Sequence, residues 1–181
     1  MQKPNSAPHG VTPEPNPILA IFSRVRRNHG LEHATLHLLA QRHAGRSMAG
    51  YSDPGGFWLM GDVPTAHVRA AVDEALRRMR AGEHRLAVHP FCGTNFVTSG
   101  ILTALAAFVA LLGAGRGLRS RLERLPLAAT LATLALIVGQ PLGLLLQANV
   151  TTSGEPGALE VIEVRRANRG GMPAHRILTR G

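Results

Sequence analysis

Residues 86–115 and 125–154 of this chain each run 30 positions without an aspartate, glutamate, lysine or arginine. A stretch that long and that free of charge must be buried on every side or sit in hydrocarbon, and that choice governs the rest of the fold. All 31 charged residues fall in the other 121 positions, where they make up about 26%, close to the ordinary charged fraction of a soluble domain. The 181-residue chain therefore reads as a soluble domain joined to an apolar appendage. Residues 96–114 would make a helix of roughly 29 Å at about 1.5 Å per residue, matching a hydrocarbon core of ~30 Å. Residues 125–146 form a second such segment, with Pro141 as a kink. Too little amphipathic chain remains to wrap both, so the expectation is a two-helix transmembrane hairpin over 96–147. Its 115–124 loop carries Arg116, Arg119, Arg121, Glu123 and Arg124.

The remaining residues divide around that hairpin. Residues 1–17 hold five prolines and no apolar periodicity, which predicts a flexible tail without the features of a signal peptide. Residues 18–95 predict a small α+β domain. A first helix spans 18–42, with Asn16 and Pro17 suited to its start and Gly45 to its stop. Its apolar stripe is Ile18, Phe22, Val25, Leu36, Leu39 and Ala40. At 100° per residue His29, Glu32 and His33 fall inside that stripe, whereas Arg24, Arg27 and Arg42 face away. The runs 48–51 and 57–60 flank a Ser-Asp-Pro-Gly-Gly turn and predict a hairpin. A second helix follows over about 65–80 with the stripe Val68, Val72, Leu76 and Met79, and 86–89 is a short strand candidate. In 148–181, the runs 159–164 and 176–179 around Asn168-Arg169-Gly170-Gly171 predict a β-hairpin packing on the α+β domain.

Two clusters carry chemistry. His29-Gly30-Leu31-Glu32-His33 places two histidines one helical turn apart on a single face, where they can chelate one metal ion. The glutamate between them reaches the same side as a base for metal-activated water, in the inverted order of the better-known HExxH pattern. The second cluster is His89-Pro90-Phe91-Cys92-Gly93-Thr94-Asn95, just before the first apolar helix. His89 and Cys92 can ligate one metal, and Thr94 or Asn95 can cap the helix that follows. His37 lies at the stripe's edge as a reserve ligand, and His43, His67 and His84 read as solvated or structural. A lone cysteine excludes an intramolecular disulfide framework.

Taken together and in this order, the two motifs resemble those of a family of uncharacterised prokaryotic membrane proteins, the YqhQ-like predicted metal-dependent enzymes, over about residues 28–101. The resemblance implies His29, Glu32, His33, His89 and Cys92 as the site, with Gly30, Gly93 and Thr94 in support. The chain is shorter than that group and has only two apolar segments, so the resemblance implies neither substrate nor oligomer.

Three functions follow. In the first, a divalent transition metal of zinc type sits on His29, His33 and either His89 or Cys92, with Glu32 as general base of a hydrolase at the membrane surface. In the second, all four ligands close the metal's shell and the site is a structural staple in a non-catalytic protein, a partner or assembly factor for other membrane proteins. In the third, Cys92 is a nucleophile with His89 as its base. The net charge of +9 is spread over the chain without a compact basic patch, which points to anionic lipid and away from nucleic acid. Both termini would share one side of the cell membrane, and the lone cysteine and lack of a signal peptide make that side the cytoplasm. With two helices, partners in the bilayer or a homo-oligomer are expected.

Overall fold

The computed structural model describes residues 16–115 and 117–181; Arg116 and residues 1–15, most of the expected tail, lie outside the described residues. The first helix, α1 (Pro17–Arg42), begins where the Asn16 side chain accepts the Ile18 N–H at 3.0 Å, with Pro17 in the first turn. It is buried only from Asn28 onward. Ile18 and Phe22, placed by periodicity on the inward stripe, are 74% and 49% exposed, and Ala40 is exposed as well. The reason is length: 26 residues of helix span ~39 Å, and the five-residue strands beside them end well short of that.

Strands β1 (Ala49–Asp53) and β2 (Gly56–Met60) form the expected hairpin, and α2 (Thr65–Arg80) follows with its stripe buried. The strand expected at 86–89 does not form; a 3₁₀ turn occupies His84–Ala87. The carbonyls of Ala87 and Val88 there accept hydrogen bonds from the rings of His33 and His37, so they are committed to side chains and not to a ladder. Strands β3 (Glu160–Arg169) and β4 (Met172–Arg180) turn at Gly170 and Gly171, whose φ values of 57° and 78° suit a tight hairpin. This hairpin does more than pack on the domain: it enters the same sheet, in the order β1-β2-β4-β3, antiparallel throughout. Helices α1 and α2 supply Leu31, Leu39, Val68, Val72 and Met79 to a core completed by Phe57, Leu59 and Ile177 from the sheet. The result is a mixed α/β fold with one small sheet.

Between the two hairpins the chain makes α3 (Gly93–Leu111), a short α4 (Leu118–Leu122) and α5 (Leu125–Leu146), which continues into one π turn at Gln147–Thr151. Helix α3 starts and ends three residues earlier than expected, and α5 runs on through Pro141. The two long helices are each long and apolar enough to cross a membrane. They pack closely because Gly139 and Gly143, four residues apart, face Ser99 and Asn95: a Cβ on either glycine would come within 2.8 Å of the Cα opposite. Their outward faces leave Leu105, Phe108, Val109, Leu134, Ile137 and Val138 exposed.

Candidate metal centre

The i, i+4 spacing on α1 brings His29 against His33, ring centres 4.3 Å apart and planes inclined at 61°. Each ring is held from behind by a backbone carbonyl. His29 Nδ1 donates to Thr151 O at 2.9 Å and His33 Nδ1 to Ala87 O at 2.7 Å. A carbonyl can only accept, so in both rings Nδ1 carries a proton and Nε2 is the atom left to face a ligand, the usual arrangement behind ligating imidazoles. Burial, and then the adjacent His29 ring, push the His33 pKa down to about 3 and keep it neutral. Gly30 permits this closeness, since a Cβ there would come 2.1 Å from Ser153 O.

Cys92 arrives from the other side as the cap of α3, its Sγ accepting the Thr94 N–H at 3.4 Å. That sulfur lies 3.4 Å from His29 Nε2. Ligand atoms of His29, His33 and Cys92 fall within 4.8 Å of one another, close enough to hold a metal ion together. The chemistry of the set, two imidazoles and a thiol, suits a transition metal of borderline softness.

Glu32 is 4% exposed and stands beside this group, outside the ligand set. Ser52 Oγ donates to its Oε2 at 2.5 Å, and Gly50 on β1 lies so close that a Cβ would come 2.1 Å from Oε1. Burial raises the carboxyl's pKa, against the opposing pull of the Ser52 hydrogen bond and of His29. Cavities of about 150 and 250 Å³ flank the group, and His29, Glu32, Gly50 and Cys92 line both.

Of the residues expected at the site, His29, Glu32, His33 and Cys92 are brought together, and His89 stands outside the ligand group. The His89 ring centre is 5.6 Å from that of His33 and 4.6 Å from that of His37, and its Nδ1 accepts the Phe91 N–H at 3.2 Å. Its proton therefore sits on Nε2, and burial, then His37, lower its pKa to about 4. The histidine nearest the thiol is His29, so the pairing of Cys92 with His89 as base is not formed. His37, the reserve ligand, spends its Nε2 on Val88 O. Helix α3 is capped by Cys92 instead of Thr94 or Asn95.

Asn95 has a different task. Its Nδ2 donates to Pro90 O at 2.7 Å, its Oδ1 accepts from Gln147 Nε2, and Gln147 Oε1 accepts the His89 N–H at 2.9 Å. Asn95 and Gln147 are fully enclosed, so this clasp locks the Cys92 turn onto both apolar helices. Ser52, Gly50 and Gln147 carry no motif. Two polar amides inside otherwise apolar runs were the only available signal, and Thr151 and Ala87 act through backbone atoms that leave none.

Two comparisons bear on identity. An uncharacterised protein of Picosynechococcus sp. is 33% identical over 166 residues, covering 83% of this chain and 77% of the relative. No solved structure matches. Residues 24–164, which hold the whole ligand group and both apolar helices, match the family described as Domain of unknown function (DUF6391). Neither match supports the YqhQ-like group expected from the motifs, and what stands is the coarser expectation of an uncharacterised family. On both matches, the chain belongs to the DUF6391 family.

Proposed function

We propose that this protein is a membrane-anchored, zinc-type metalloenzyme that hydrolyses an ester or amide at the membrane surface. The observation that carries the reading is the count of ligands: three protein groups converge, and the fourth candidate, His89, is outside them. Three ligands leave a coordination position for water, as catalytic zinc sites do, whereas a structural staple needs four. A divalent ion held there would act as a Lewis acid and lower the pKa of water at that open position.

Glu32 supplies the base. It is next to the ligands but not among them, and burial raises its proton affinity above that of an exposed carboxylate, the direction that suits a general base. Ser52 fixes the carboxylate's orientation, and the Gly50 backbone prevents it from swinging away. His89 lines the smaller cavity as a neutral N–H donor, suited to a substrate carbonyl oxygen. Helices α3 and α5 as bilayer spans are supported by their outward apolar faces, which nothing else among the described residues covers. The reduced thiol that the centre requires favours the cytosolic face for the domain.

The test is zinc-loaded protein in detergent, assayed on a panel of p-nitrophenyl esters and anilides. Turnover that chelation removes and zinc restores supports the reading. A panel with no turnover from protein of full zinc occupancy counts against it.

A further inference from the structure

A cavity of about 720 Å³ forms a groove between α3 and α5. Its walls are Val97, Ile101, Leu102, Leu142 and Leu146, with Thr98 among them, its hydroxyl donated to Thr94 O at 2.7 Å, and Thr94 and Thr151 stand at its upper end. Those two threonines meet through their hydroxyls at 3.2 Å. They also belong to the metal centre. Thr151 O holds His29, the Thr94 N–H holds Cys92 Sγ, and Thr94 lines the 250 Å³ cleft that contains His29, Glu32 and Cys92. The apolar groove and the polar cleft are thus consecutive compartments with Thr94 in the wall of each. From Ile101 to Thr94 the groove runs about 10 Å along α3, at roughly 1.5 Å per residue.

Polarity along this path rises in one direction, from hydrocarbon at Ile101, Leu102 and Leu142, through the hydroxyls of Thr98, Thr94 and Thr151, to the ligands and carboxylate. A molecule that matches it has an alkyl chain at one end and a polar, hydrolysable group at the other. The change falls at the start of α3, which in a spanning helix is the level of the lipid headgroup boundary, where the ester bonds of membrane lipids lie. Helix α1 adds a second mark of that level. Ile18, Phe22 and Val25 continue the face that carries His29, at spacings of four, three and four; Val25 lines the cleft, and Ile18 and Phe22 project beyond it exposed. Such a face with Arg24 and Arg26 nearby is suited to lie in the interface of a bilayer.

Resting on the hydrolase reading above, we infer that the substrate is an acyl-chain ester lipid that enters sideways from the bilayer, its chain in the α3–α5 groove and its ester at the metal centre. The oxygen of water bonds to the acyl carbon and the C–O bond to the alcohol breaks. One water proton passes by way of Glu32 to the departing alkoxide, and the products are a fatty acid and the free alcohol of the lysolipid.

The test uses the full chain, loaded with zinc, in phosphatidylcholine vesicles containing a phosphatidylcholine with a diazirine in its acyl chain. Photolabelling is mapped by mass spectrometry. Label concentrated several-fold on Val97, Ile101 and Leu142 over Phe96 and Leu145, exposed residues at similar depth outside the groove, is the expected result. Equal labelling of all five overturns the proposal. Ile101→Trp, at a half-exposed position that tolerates a larger side chain, should fill the groove and reduce both groove labelling and fatty-acid release on the order of tenfold, as expected from losing the burial of a few methylenes. Its zinc content should stay at the wild-type level. Groove labelling without fatty-acid release from the wild type overturns the substrate assignment, whereas lack of zinc in the wild type overturns the metal reading alone, since the labelling pattern is read without it.

Discussion

Cys92 Sγ lies 3.4 Å from His29 Nε2, although 63 residues of chain separate them. The contact joins the middle of α1 to the first turn of α3, so the candidate metal centre is also the seam between the sheet-bearing part of the fold and the apolar helices. A change at either residue should therefore register in both metal binding and stability.

His29→Ala, His33→Ala and Cys92→Ser should each lose zinc, measured by elemental analysis after desalting. Binding to the folded state alone stabilises by about 4 kcal/mol at a thousandfold excess over Kd, so added zinc should raise the wild-type Tm and leave these variants unmoved. His89→Ala should keep its zinc. Zinc loss in His89→Ala equal to that in His29→Ala would restore the four-ligand staple.

Glu32→Gln separates base from ligand support. The amide can still accept from Ser52, so zinc content should match wild type while turnover falls by roughly 10²- to 10⁴-fold. A 10- to 100-fold weaker zinc affinity, as for a group that orients a ligand, would instead place Glu32 in support of the histidines.

Two glycines hold the geometry by having no side chain. Gly30→Ala drives a methyl into Ser153 O and should lift α1 from the 151–153 segment, loosening the carbonyl behind His29 and weakening zinc binding on the order of tenfold or more. Gly50→Ala presses on the Glu32 carboxylate, with zinc retained, activity lost and a cost of about 1–3 kcal/mol in thermal unfolding. If Gly50→Ala is as active as wild type, the Glu32 carboxylate is not confined as described.

Acid should destabilise the metal-free protein through His33. Its folded pKa of about 3 lies below the ~6.5 of an unfolded histidine, so the unfolded chain takes up the proton first. The contribution is fully present above pH ~6.5 and declines as pH falls toward 3, with a slope of at most about 1.4 kcal/mol per pH unit for one proton. Chelated wild type should lose Tm between pH 7 and 5 more steeply than chelated His33→Gln. Parallel curves would show that His33 is not held neutral.

The sequence made the helices legible because their periodicity and lack of charge are properties of single segments. Helix α2 and the two hairpin turns were equally plain, through the stripe from Val68 to Met79, Pro54-Gly55 and Gly170-Gly171. What could not be read was anything set by backbone atoms from elsewhere in the chain. The 86–89 segment has strand-like composition, but the rings of His33 and His37 claim its carbonyls. The site's members His29, Glu32, His33 and Cys92 were visible as residue types at metal-binding spacing. The exclusion of His89 was not, because it depends on how Asn95 and Gln147 clamp the turn that carries it. The exposed start of α1 escaped for a related reason: periodicity shows which face is apolar, but not how far the partner elements extend.

The central claim is an open metal centre on three protein ligands, and X-ray absorption at the zinc edge of the zinc-loaded protein tests it most directly. The account predicts two nitrogen ligands at ~2.0–2.1 Å, one sulfur at ~2.3 Å and one further light oxygen ligand, with the spectrum unchanged in His89→Ala. A third imidazole that disappears in His89→Ala, or a shell without sulfur, would contradict it.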